Sequence, residues 1–82
     1  MTRPFMIGRS KECEVQLDHK VVSRQHAEIV CDAHQWWVRD LGSTNKVFVN
    51  DQEIEQTPLA HGSVLRLGKR IAFEVWIEGN ID

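Results

Sequence analysis

Two stretches decide the fold: Ala27-Glu28-Ile29-Val30-Cys31-Asp32 and Ile71-Ala72-Phe73-Glu74-Val75-Trp76-Ile77-Glu78. In the first, Ala27, Ile29 and Cys31 alternate with Glu28 and Asp32; in the second, Ile71, Phe73, Val75 and Ile77 alternate with Glu74, Trp76 and Glu78. Successive side chains of a strand point to opposite faces, so a period of two describes strands with one buried and one wet face. Residues 12–17 carry the same pattern, Cys13, Val15 and Leu17 against Glu12, Glu14 and Gln16, and are read as a half-buried strand. Shorter strands are expected at residues 5–7, 36–40, 47–49 and 64–67, rich in β-branched or aromatic residues, and a further one at 52–54. No window shows the apolar spacing of an amphipathic helix. Turn residues punctuate the chain at Gly8, Asp32-Ala33-His34, Gly42 through Asn45, Asn50-Asp51, Pro58, His61-Gly62 and Gly68. Many short strands at this spacing imply an all-β sandwich or barrel.

Composition bounds the function. A chain of 82 residues with 41% apolar and 27% charged residues makes one small globular domain, spanning 1–82. At this length about 60% of the unfolded surface is buried, which leaves little volume for a deep enzymatic pocket. Apolar runs are far too short for a membrane-spanning helix, and Arg9 interrupts any secretory signal, so the expected location is the cytoplasm, or the nucleus in a eukaryote. Cys13 and Cys31 lie too far apart for a Cys-x-x-Cys motif and read as small buried hydrophobes in a reducing compartment. His19, His34 and His61 lack metal-ligand spacing and read as surface or turn residues. A net charge of −2 argues against nucleic acid as a partner. Basic residues are nonetheless concentrated early in the chain (Arg3, Arg9, Lys11, Lys20, Arg24), while residues 47–65 carry only Asp51, Glu53 and Glu55. That asymmetry suits a small anionic ligand.

Three loop segments stand out: Gly8-Arg9-Ser10, Ser23-Arg24-Gln25-His26-Ala27, and Asp40-Leu41-Gly42-Ser43-Thr44-Asn45, followed by Val49-Asn50. Each sets a guanidinium, hydroxyl or amide donor beside a turn residue, and Asp40 is the one carboxylate among them. Donor-rich loops suit a phosphate, whose oxygens accept charge-assisted hydrogen bonds and match the planar fork of Arg. The order G-R, S-R-x-H-A, D-L-G-S-T-N, V-N resembles the forkhead-associated (FHA) domain over about residues 8–75.

The resemblance implies an FHA-like β-sandwich of about 9–11 short strands that binds phosphothreonine-containing segments of partner proteins through loops at one end, without catalysis, metal or cofactor. It assigns Arg9 and Ser23 to the phosphate, Arg24 to the phosphate or nearby peptide backbone, Thr44 to the phosphate and Asn45 to the peptide main chain. Gly8, His26 and Asn50 are implied as structural support, His26 bracing the loop that presents Ser23 and Asn50 holding a hairpin turn. The partner is then a phosphothreonine-containing protein or peptide, met by a monomer or weak dimer, alone or within a larger protein. Lys46 stands where the family usually has glycine and is expected to strain its turn, and Asp51 replaces a frequent glycine as a milder change, since Asp tolerates the left-handed region better than most. Only eight residues precede Arg9, where the family's first strand and turn stand, so the first edge strand is expected to be absent and a sheet edge open to another chain. The alternative is a phosphate-independent docking or dimerisation module that uses sheet edges or the face of Trp76. A hydrolase triad of Ser23, His26 and Asp40 is rejected, because no nucleophile elbow or oxyanion loop accompanies it. Trp36 and Trp37, as neighbours in a strand, are expected on opposite faces.

Overall fold

The computed structural model describes residues 4–77. Among them lie nine strands and no helix: β1 Phe5–Gly8, β2 Val15–Gln16, β3 Ala27–Asp32, β4 Gln35–Asp40, β5 Val47–Val49, β6 Gln52–Ile54, β7 Gln56–Leu59, β8 Val64–Leu67 and β9 Ile71–Glu74. They form a five-stranded sheet in the order β2-β1-β3-β4-β7 and a four-stranded sheet in the order β6-β5-β8-β9. All pairings are antiparallel except β1 with β2, where Ile7 faces Val15. No helix of the described residues is long and apolar enough to cross a membrane.

The core lies between the sheets. Ile7, Ala27, Ile29, Val38 and Leu59 from the first meet Val47, Val49, Leu65 and Leu67 from the second, with Val22 from a loop. Register follows from that apolar set: Ile29 pairs with Val38 so that both point inward, and a slip of one residue would turn every core side chain to solvent. The expected all-β sandwich is the architecture found.

The alternation at residues 12–17 describes burial better than it describes a ladder. Cys13 is buried and Val15 and Leu17 are half-buried, yet only Val15–Gln16 pairs as a strand. The chain before it is turned so that Cys13 N–H reaches the Ser10 carbonyl (3.1 Å), which removes those residues from the sheet. Pro58, read as a turn residue, lies instead inside β7 opposite Trp37. β7 is an edge strand, where a residue without an N–H leaves no ladder bond unmade on its outer side. The final strand pairs over Ile71–Glu74, while the in-out alternation of burial runs on to Ile77. Glu78 lies outside the described residues. Trp36 packs against the core and meets Phe5 edge to face (6.5 Å between centroids), whereas Trp37, also half-buried, stands on the opposite face beside Val30.

Two hairpins turn in two residues, and both use left-handed backbone without glycine. Ala33 (φ 54°) and His34 (φ 66°) join β3 to β4, and Asn50 (φ 51°) and Asp51 (φ 70°) join β5 to β6. Positive φ at both central residues is the type I′ geometry, whose twist matches the flanking strands. Asn and Asp tolerate it; Ala and His do so at a cost of about 1 kcal/mol or more each. Replacing Ala33-His34 by Asn-Gly should therefore raise stability by about 1 kcal/mol. A urea titration should show a higher midpoint at unchanged slope.

Candidate functional site

β1 ends at Gly8 because another segment crosses there. A Cβ on Gly8 would collide with the carbonyl of Arg24 and come within 2.9 Å of Cys13 Sγ. The bare backbone lets residues 23–26 run against the strand end: His26 N–H donates to the Ile7 carbonyl (2.9 Å), Arg9 N–H to the Ser23 carbonyl (3.0 Å) and Ser10 N–H to the Arg24 carbonyl (3.2 Å). Arg9 adds a side-chain bond from Nε to the Val22 carbonyl (2.9 Å), which holds its guanidinium beside the Ser23 segment. Cys13 donates its S–H to the Arg24 carbonyl (3.2 Å), and burial, aided by Glu14 and Glu12 and opposed by a hydrogen bond from Ser10, pushes its thiol pKa up. Cys13 is a packing residue of this crossing and not a nucleophile.

His26 ties this crossing to the third loop. Its side chain is fully buried at 0% exposure. Nδ1 accepts the Ser23 N–H (3.1 Å), which leaves Nε2–H to donate to the Lys46 carbonyl (2.8 Å). The loop at 41–46 is further built by Asp40, whose Oδ1 accepts the Ser43 N–H (2.9 Å), and by Gly42 in the left-handed region (φ 75°). Lys46 is left-handed as well (φ 72°), the strain expected of a lysine at a glycine position. Its carbonyl accepts a second bond, from Gly68 N–H (3.0 Å), so the strained residue is held from two sides.

These braces bring most of the singled-out residues together. Thr44 N–H donates to Ser23 Oγ (3.2 Å), joining the second and third loops directly. Ser23, Arg24 and Thr44 line one open groove of about 550 Å³ with Ser10, Glu12, Gln25 and Gly42. Arg9 is exposed and is not among the residues that line this groove, and its terminal nitrogens make no hydrogen bond among the described residues. Asn45 lies in the same loop, but its Nδ2 donates to the Val21 carbonyl (2.8 Å), so its amine is occupied in bracing the neighbouring loop. Asn50 is not brought there. It sits at the other end of β5, where its N–H donates to the Val64 carbonyl (2.9 Å) and its Oδ1 accepts the Val64 N–H (2.9 Å). Its support is for the far end of the sandwich.

Sequence reasoning gave no role to Ser10, Gln25 and Gly42, though they lie within the loop segments it singled out, and it missed Glu12 altogether. Ser10 and Gln25 adjoin the motif residues Arg9 and Arg24, which could have flagged them; no pattern marked Glu12, a carboxylate among donors. The triad reading fails on geometry: His26 binds the backbone N–H of Ser23 and not its hydroxyl, and Asp40 is bonded to Ser43. No group of three or more His, Cys, Asp or Glu among the described residues could hold a metal ion.

A β-sandwich that gathers guanidinium, hydroxyl and N–H donors in loops at one end has the build of a binding module for an anionic ligand. The sequence matches the FHA domain over residues 5–68, and the chain belongs to that family, whose domain is an interaction module and not a catalytic fold. It is 36% identical over 67 residues to the glycogen accumulation regulator GarA of Mycobacterium tuberculosis, covering 80% of this chain and 41% of that protein. The chain thus spans less than half the length of such relatives. A structure described as an analysis of phosphothreonine-dependent FHA domain interactions superposes with a TM-score of 0.89 at 32% identity, covering 98% of this chain and 82% of that one. Mycobacterium tuberculosis EmbR, in complex with a low affinity phosphopeptide, superposes with a TM-score of 0.87 at 30% identity, covering 96% of this chain and 21% of that one.

Two substitutions separate close approach from strain. Gly8→Ala should destabilise the fold by about 1–3 kcal/mol, since the obstructing atoms are backbone and cannot yield. Lys46→Gly should stabilise it by about 1 kcal/mol by relieving the left-handed lysine while keeping the carbonyl that His26 binds. Chemical denaturation of both variants checks the opposite signs.

Proposed function

We propose that this chain is a phosphothreonine-dependent protein interaction module, acting as one domain over residues 1–82 inside the cell, without catalysis or cofactor. The observation that carries this reading is the convergence of Ser23, Arg24 and Thr44 on one groove, with the Arg9 guanidinium bonded to the residue before Ser23. A phosphothreonine brings about −1.5 to −2 charges and three acceptor oxygens, and each charge-assisted hydrogen bond contributes roughly 1.5–3 kcal/mol. Arg9, Ser23, Arg24 and Thr44 are proposed to contact the phosphate, and Asn45 the peptide main chain through the Oδ1 left open when Nδ2 binds Val21. His26 and Gly8 act through geometry, one holding the loops together and the other letting them approach.

Fluorescence anisotropy with a phosphothreonine peptide library and its unphosphorylated twin tests the reading. Loss of the phosphate should cost on the order of 3–5 kcal/mol, about 10²–10⁴ in affinity. An aspartate mimic should not substitute, because its planar single charge cannot reach all the donors. Arg9→Ala should weaken phosphopeptide binding about 10- to 100-fold, and Glu12→Gln should strengthen it by about two- to fivefold by removing a like charge from the groove. Equal binding to the two libraries would overturn the reading in favour of a phosphate-independent docking module.

A further inference from the structure

The binding end is a row of four chain segments. Residues 9–12 are tied to residues 21–26 by Arg9 N–H on the Ser23 carbonyl (3.0 Å) and Ser10 N–H on the Arg24 carbonyl (3.2 Å). Residues 21–26 are tied to residues 41–46 by Thr44 N–H on Ser23 Oγ (3.2 Å) and Asn45 Nδ2 on the Val21 carbonyl (2.8 Å). Residues 41–46 are tied in turn to residues 68–70, where Gly68 N–H donates to the Lys46 carbonyl (3.0 Å) and a Cβ on Gly68 would stand 3.2 Å from Asn45 Cβ. The groups proposed to hold the phosphate come from the first three segments. Each end of the row carries charge that they leave unused. Glu12 stands on the groove wall at one end, and Lys69 and Arg70 are exposed in the turn at the other. Among the described residues no hydrogen bond or ion pair engages any of these three side chains. The neighbouring charges are engaged or offset: Glu14 Oε1 accepts the Met6 N–H (2.8 Å), Asp40 binds Ser43, and Lys46 opens onto a cleft with Glu53 and Glu55. Lys11 is exposed and does not line the groove, and Lys20 has Asp18 two residues before it.

We propose that the phosphorylated segment bound here is itself charge-polar: a basic side chain on the flank that meets Glu12, and an acidic side chain on the flank that meets Lys69 and Arg70. This rests on the phosphothreonine reading and adds to it the composition and direction of the segment. For a bare phosphate Glu12 is only a cost; a cation beside the phosphothreonine turns that cost into a contact. At the other end, a segment whose main chain meets Asn45 passes beside the basic turn, because Gly68 packs against that residue. The scale agrees. Hydrogen-bonded backbones lie about 4.8 Å apart, so four segments span roughly 15 Å. An extended chain advances about 3.3–3.6 Å per residue and crosses that distance in about four to five residues. The acidic and basic side chains then stand on either side of one phosphothreonine. The reversed order sets like charges together at both ends of the row, so the same three residues reject a segment lying the wrong way round.

Fluorescence anisotropy on the full 82-residue chain with two phosphothreonine peptides of identical composition tests this. One carries two lysines at the second and third positions before the phosphothreonine and two aspartates at the second and third positions after it; the other has the lysines and aspartates exchanged. Charges are paired so that one of each faces the protein however the strand is turned. One order should bind about 5- to 30-fold more tightly than the other. The ratio should fall toward unity as salt is raised from about 0.1 M to about 1 M, where the Debye length shrinks from about 10 Å to about 3 Å. The variant combining Glu12→Lys, Lys69→Glu and Arg70→Glu should reverse the preference, with circular dichroism showing an unchanged fold. The gain expected of Glu12→Gln on the library as a whole should shrink or vanish on the favoured peptide, where the same change removes an ion pair. Wild-type affinities within twofold of each other overturn the proposal, as does a preference that survives high salt or the charge reversal. In those cases the phosphothreonine reading stands if both peptides still bind far more tightly than their unphosphorylated twins; if they do not, both fall.

Discussion

One buried imidazole holds the binding end of this molecule together. His26 has no contact with solvent, and both its nitrogens are matched, Nδ1 by the Ser23 N–H and Nε2–H by the Lys46 carbonyl. A buried polar group left without a partner costs about 1–3 kcal/mol, so neither neighbouring loop can drift from the ring without that penalty. The remaining contacts depend on the same placement. Thr44 can donate to Ser23 Oγ, and Asn45 to Val21, only while the loop ending at Lys46 is held against the segment leading to His26. Arg9 joins through Val22 and Ser23, and Gly8 leaves the space that the Arg24 carbonyl takes. The loops are thus ordered before any ligand arrives, which reduces the entropy lost on binding.

How far the residues announced this arrangement varies with the physics behind each. Strands β3 and β9 were legible because in-out alternation is a direct image of burial between two sheets, and β4, β5 and β8 because β-branched and aromatic residues suit a pleated, half-buried surface. At residues 12–17 the same alternation persists without a ladder, since burial depends on where side chains point and pairing on where N–H groups find partners. Pro58 was misleading for the converse reason: its missing donor excludes it from a central strand, and nothing local says that β7 is an edge. Of the groove's lining, Ser23, Arg24 and Thr44 were singled out from donor chemistry and order, whereas Arg9, singled out with them, does not line it. The side-chain bond that occupies Asn45, the remoteness of Asn50 and the presence of Glu12 in the groove were not legible, because each depends on contacts between loops far apart in sequence.

The strained backbone has a consistent distribution. Among the described residues five other than glycine adopt positive φ, four of them in the two tight hairpins and the fifth, Lys46, at the binding end. In the hairpins the strain is a local matter of turn type, and Asn50 and Asp51 bear it with side chains suited to that region. At Lys46 the chain tolerates a residue that resists the conformation, because His26 and Gly68 both hold its carbonyl. Strain persists where the surroundings over-determine the backbone, and such places cluster at working sites. Relaxing Lys46 into the ordinary region would rotate the carbonyl away from His26, and the cost of an unmatched buried imidazole exceeds the strain retained.

Charge completes the argument, because the net charge of −2 gives no long-range attraction for a phosphorylated partner. Discrimination must then arise at short range, from the direction of N–H and O–H groups and from the guanidinium of Arg9, held by its Nε bond to the Val22 carbonyl. Glu12 sharpens this condition: a carboxylate on the groove wall repels any anion that does not form enough hydrogen bonds to offset it. A monoanionic carboxylate, with one charge and a planar pair of oxygens, meets the repulsion with few compensating bonds. A phosphate dianion, tetrahedral and rich in acceptors, meets up to about twice that repulsion and offsets it with several such bonds. The acidic residue therefore costs affinity for every anion, the dianion most, and leaves the discrimination to the number of charge-assisted hydrogen bonds that each ligand can form.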